Sequence, residues 1–132
     1  ANVIGEALND LHIDVIDHAT RLVDAPQLLA DVARRGIGVT VCPGSNHLLN
    51  VHTDGVASHP LWAMRKAGIA VALGGDDNYF FNTTVAQEYV AVQQAGGLAD
   101  ADMLAFTRNG IRLPLVPDWM RREILACYPE LA

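Results

Sequence analysis

The chain has 132 residues, 51% of them hydrophobic, enough apolar material for one compact domain and too much for a disordered segment. Its formal charge of -6, from 15 acidic and 9 basic residues with no Lys/Arg block, argues against nucleic acid as a partner. No apolar run nears the ~20 residues that span a bilayer, and no basic-then-apolar leader opens the chain, so a cytoplasmic protein without membrane contact is expected. Charged residues make up only 18%, below the roughly 25% of ordinary soluble domains, which suggests that part of the surface is meant to be covered by something larger. Cys42 and Cys127 are isolated, without a C-x-x-C pair or a disulfide spacing, as in a reducing compartment.

The chain opens with Val3, Ile4, Ala7, Leu8 and Leu11 at helical spacing behind Asn2, a residue suited to cap a first turn. A β-rich run follows at Ile13 to Asp17. A second helix is expected with Asp24 as N-cap, Pro26 in its first turn, an apolar stripe of Leu28, Leu29, Val32 and Ala33, and Gly36 at its stop. The second strand is expected at Ile37 to Cys42, where Cys42 reads as packing rather than as a nucleophile. A polar loop from Gly44 to His59 leads to a helix that begins at Pro60 and ends before Gly68. The third strand is expected at Ile69 to Leu73, then an aromatic segment of Tyr79, Phe80 and Phe81. Helices over Thr84 to Gln94, Asp100 to Arg108 and Asp118 to Tyr128 complete the chain.

Strands alternating with helices predict βα units and a parallel sheet in a single α/β domain. Each strand runs into polar residues: Asp17-His18, then Pro43-Gly44-Ser45-Asn46, then Gly74-Gly75-Asp76-Asp77. In parallel α/β folds the C-terminal strand ends carry the site, so three successive strands point at one place. Asp76 and Asp77 suit either a turn or a metal and catalytic use. His18 suits a general base or metal ligand, and equally a hydrogen-bonded structural residue. It precedes Asp76 by two βα units of about 30 residues each, which places the pair on strands n and n+2.

Ser45 and Asn46 read as loop-shaping groups, and His47, His52 and His59 as surface or capping residues, because their spacing matches no zinc pattern. Glu6 lies on an amphipathic helix and reads as solvated. Glu88 and Tyr89 read as buried or half-buried hydrogen-bonding residues, and Tyr79 to Phe81 as packing or as a wall for a flat heterocycle.

Taken together, Ile16-Asp17-His18-Ala19, Val41-Cys42-Pro43-Gly44-Ser45-Asn46, His59-Pro60-Leu61, Gly75-Asp76-Asp77 and Glu88-Tyr89 resemble the adenosine/adenine deaminase family in order and spacing. The resemblance implies the C-terminal part of a zinc-dependent (β/α)8 (TIM) barrel, with about three βα units plus C-terminal helices, and a small aminopurine as substrate. It implies that Asp76 is a zinc ligand that also bonds the attacking water. Asp77 would hold the purine through a ring nitrogen, and His18 would orient and help deprotonate the water. The family's remaining zinc ligands and proton-donating glutamate lie in segments that this chain does not contain, and Glu6 does not take that glutamate's role. Two positions depart from the family pattern: Ala19 stands for Gly after the histidine, and Asn78 for Pro after the aspartates.

Two other readings remain open on the sequence. One is a catalytically inactive barrel remnant or structural module. The other is an amidohydrolase for a pyrimidine or cyclic amide. Because three βα units leave two sheet edges open, assembly is expected, with the missing N-terminal part of the barrel or as a homo-oligomer.

Overall fold

The computed structural model describes residues 2–132, and the capping expected of the Asn2 side chain lies outside the described residues. Among them, three short strands form one parallel sheet in the order β1 (Val15–Asp17), β2 (Gly38–Val41), β3 (Val71–Leu73). The register pairs Asp17 with Thr40 and Thr40 with Ala72, so all three C-terminal ends lie along one rim. Helices α1 (Asn2–Asp10), α2 (Pro26–Arg35), α3 (Pro43–Leu48), α4 (Leu61–Lys66), α5 (Val85–Gly96), α6 (Asp100–Arg112) and α7 (Asp118–Cys127) complete the framework. This mixed α/β arrangement of successive parallel strands is that of part of a (β/α)8 barrel. No helix among the described residues is long and apolar enough to cross a membrane.

The strands are shorter than their apolar runs. Ile37 and Ile69 are buried, yet their N–H groups bond back to Val32 and Met64 at the ends of α2 and α4 rather than into the sheet. Apolar character reports burial, whereas strand length depends on which N–H groups find a ladder partner. Val39, Val41 and Val71 on the strands pack with Leu8, Leu22, Val32, Leu61, Met64, Val92 and Phe106 in one core. From the other side α6 closes on β3, where Asn109 Nδ2 donates to the Val71 carbonyl at 2.8 Å.

Two local expectations are corrected. Asp24 does not cap α2: it ends a 3-10 turn, Thr20–Asp24, and pairs with Arg21 at 2.8 Å, while Ala25 is the cap residue and Pro26 starts the helix. The stretch from Gly44 to His59 is not loop throughout, because Pro43 opens α3 and Val56–Ser58 form a further 3-10 turn. Proline at the first helical position needs no N–H partner there, which favours a helical start directly after β2. Helices α5 to α7 fall where their apolar spacing places them, and Thr84 caps α5 by accepting from Gln87 N at 3.2 Å.

Candidate active site

The rim is built by three chain reversals directly after the strands. At the end of β1, His18 N donates to Thr40 O at 2.7 Å, which holds the turn against β2. His18 and Ala19 then both adopt positive φ, 63° and 48°, and redirect the chain into the 3-10 turn. Alanine in the left-handed region is strained by roughly 1–2 kcal/mol, and Ala19 tolerates it here while 6% exposed. His18 is half-buried.

At the end of β2 the chain enters α3 with Ser45 and Asn46 buried, at 0% and 3% exposure. Ser45 Oγ donates to the Cys42 carbonyl at 3.1 Å, the loop-shaping role its position suggested. Asn46 does more. Its Oδ1 lies 3.0 Å from His59 Nε2 and its Nδ2 lies 3.4 Å from His18 Nδ1, so one amide joins the ends of β1 and β2 to a residue two positions before α4. Of the two roles expected of His59, surface or capping, it takes the second. It is buried, and its Nδ1 accepts from Leu61 N at 3.0 Å, satisfying a first-turn N–H of α4. Burial, with His52 nearby, pushes the His59 imidazole down to about 4. The His-Pro-Leu spacing was the available sequence signal, since a side chain two residues before a helical N–H can cap it.

At the end of β3, Gly75 is buried and Asn78 folds over it: a Cβ on Gly75 would meet Asn78 Oδ1 at 1.9 Å. Asp76 takes φ 55° and is exposed. Asp77 is exposed too, and its Oδ1 accepts from Phe80 N at 2.8 Å, closing the turn that Asn78 makes where the family has proline. His18 and Asp76 thus occupy one rim, two strands apart, which at the usual strand spacing is roughly 10 Å between strand axes. The described residues contain no group of three or more His, Cys, Asp or Glu side chains that could hold a metal ion. A strand-end carboxylate such as Asp76 fits as one oxygen ligand of a zinc site and cannot form one alone.

Other residues singled out on sequence stand behind the rim. Glu88 is buried on α5 and accepts from Gly44 N at 2.9 Å, with burial raising its carboxyl above the usual range. A Cβ at Gly44 would meet Glu88 Oε1 at 2.0 Å, so any larger residue there would displace the Glu88 carboxyl. Tyr89 pairs instead with Thr107, hydroxyl to hydroxyl at 3.0 Å. Cys42 is buried and its thiol pushed up to about 11, which suits packing and not nucleophilic attack. Glu6 is exposed on α1. Tyr79 and Phe80 are exposed, at 99% and 75%, so they wall no pocket within the chain itself. A cavity of about 450 Å³ is lined by residues including Arg21, Asp24, His52, Ser58, His59 and Trp62, and so reaches His59 but none of His18, Asp76 or Asp77.

Comparison with known proteins agrees with the fold. An adenine deaminase of Rhizobium leguminosarum bv. trifolii is 38% identical over 123 residues, 93% of this chain and 38% of the relative. The crystal structure of an adenine deaminase from Arthrobacter aurescens superposes with a TM-score of 0.87 at 27% identity, over 98% of this chain and 38% of that one. A zinc-bound amidohydrolase from Burkholderia ambifaria superposes with a TM-score of 0.83 at 28% identity, over 98% of this chain and 36% of that one. The chain therefore spans little more than a third of the length of the relatives it matches. The family model described as adenosine deaminase matches residues 1–127. With nearly its whole length inside that match, the chain belongs to the adenosine deaminase family.

Proposed function

We propose that residues 1–132 form the C-terminal portion of one zinc-dependent deaminase barrel. It would remove the amino group of an aminopurine hydrolytically and release ammonia, with adenine the first candidate. The observation that carries this reading is the placement of His18 and Asp76 on one rim of a parallel sheet in a chain of this family. Adenine is put first because relatives at 35–38% identity bear the name adenine deaminase.

A bound zinc ion would supply Lewis acidity, bringing the pKa of a coordinated water towards about 7. Asp76 would contribute one carboxylate to that site, with the other ligands supplied from outside residues 1–132. His18 would orient the attacking water and donate to its oxygen; as that oxygen bonds to the carbon bearing the amino group, the C=N electron pair moves onto the adjacent ring nitrogen, which takes up one of the water's protons. Asp77 keeps one carboxylate oxygen on the turn and offers the other to a purine ring nitrogen. The remaining proton of the added water passes to the amino group, the exocyclic carbon–nitrogen bond breaks with the oxygen becoming the product carbonyl, and ammonia leaves.

The test is ammonia release from adenine, adenosine and cytosine by the protein at its natural length, with zinc content measured in parallel for wild type and Asp76→Ala. Release from adenine or adenosine, together with loss of zinc in the variant, is expected. Release from cytosine alone would favour a pyrimidine enzyme. A folded protein with no zinc and no activity would mean an inactive barrel remnant.

A further inference from the structure

Leu61, His59, Asn46 and His18 form one hydrogen-bonded chain whose polarity is set from its far end. Leu61 N lies 3.0 Å from His59 Nδ1, His59 Nε2 lies 3.0 Å from Asn46 Oδ1, and Asn46 Nδ2 lies 3.4 Å from His18 Nδ1. A backbone N–H can only donate, so His59 Nδ1 presents its lone pair and the ring proton sits on Nε2. That N–H donates to the Asn46 carbonyl oxygen and turns the amide NH₂ towards His18. An NH₂ group also only donates, so His18 Nδ1 presents a lone pair as well. The proton of neutral His18 is then on Nε2, directed away from Asn46. Flipping the amide would set N–H against N–H at His59, a mismatch that is costly where both partners are nearly fully buried.

We propose that Asn46 and His59 are positioning residues whose hydrogen-bond polarity holds His18 in its Nε2–H tautomer, so that neutral His18 meets the rim as a donor, in place of the proton-accepting part that the family resemblance implies for it. This rests on the reading of His18 given above. Protonating His59 would place a proton on Nδ1 facing Leu61 N–H and break the first link. Burial opposes that change, since the imidazole is held down to about 4 and is neutral at ordinary pH. The second nitrogen of a catalytic histidine commonly has its state fixed by the bond the first one makes. What differs here is that an amide does the fixing, and an amide can act as donor only if its own oxygen is occupied. His59 meets that requirement.

The deciding measurement is a long-range proton–nitrogen NMR correlation of the imidazoles in the protein at its natural length, for wild type and Asn46→Asp. In wild type, both His59 and His18 are expected to carry the proton on Nε2. Aspartate keeps the size of asparagine but can only accept, so in the variant His18 moves its proton to Nδ1 while His59 is unchanged. With that switch kcat falls by on the order of a hundredfold and KM changes little, the pattern for a charge-stabilising donor turned away. A wild-type His18 protonated on Nδ1, or a tautomer that does not move in the variant, overturns the proposal. If Asn46→Asp fails to fold, the wild-type spectrum alone decides. A tautomer switch without any change in kcat would leave the relay standing and remove His18 from the proposed reaction, so the two failures are distinguishable.

Discussion

The two ends of the rim are built by opposite strategies. At β1 and β2, His18, Asn46 and His59 are linked by hydrogen bonds within the chain, two of them nearly fully buried. At β3, Asp76 and Asp77 are exposed carboxylates on a turn stabilised by Asp77 and Phe80. The first region is preorganised by its own residues. The second has only its backbone turn set, and its carboxylates stand exposed, as the proposed zinc-ligand role of Asp76 requires. A polar group that must be buried needs its partners nearby, whereas a metal-binding carboxylate keeps its lone pairs for an ion.

The sharpest test of that difference is at β3. Replacing Asp76 by Asn preserves the left-handed turn, since asparagine tolerates positive φ, while removing the anionic ligand. We expect zinc loss and a fall in kcat of more than about 100-fold, beyond what losing a supporting outer-shell group costs, with an unchanged melting temperature. Undiminished zinc content in the purified variant would break the contrast between the two ends.

The β1–β2 end should respond to pH instead. The folded pKa of His59 is depressed to about 4 from an ordinary 6.5, so its contribution is fully present above about 6.5 and is lost as pH falls towards 4. This amounts to up to roughly 3 kcal/mol of folding stability, measurable by denaturant titration across that range. A flat stability profile between those pH values would mean that His59 is not held neutral by burial.

Glu88 works with the opposite sign. Its folded pKa is raised, so the stability it contributes is present at low pH and is lost as pH rises through that raised value. Glu88→Gln keeps an acceptor for Gly44 N–H and removes the buried charge, and should add about 1 kcal/mol at neutral pH with no gain at low pH. A loss of stability at neutral pH would show the carboxylate to be compensated by something other than Gly44. The smallest effect is expected for Ala19→Gly. Relief of the left-handed strain is offset by lost burial of the methyl and by added backbone freedom, so the melting temperature should shift by no more than the equivalent of about 0.5 kcal/mol.

Much of the framework was legible in the residue order. Alternating apolar runs and helical stripes located three strands and most of the helices, and the polar residues after each strand marked the rim. Strand lengths were overestimated because Ile37 and Ile69 are apolar for the core and not for the sheet. The helix at Pro43–Leu48 was missed because its six residues carry no apolar periodicity, only proline at a permitted first position.

By itself, the sequence determined the βα alternation, the family, and the identity of the strand-end residues, because hydrophobic period and local motif are properties of neighbouring residues. Only the tertiary structure decided what those residues can do together. Asn46 and His59 looked like loop groups until folding placed them against His18, since the bonds that join them connect positions 28 and 13 residues apart. Asp76 lies on the same rim and is exposed, and no pattern in the chain could state that, because exposure is settled by what the rest of the fold covers.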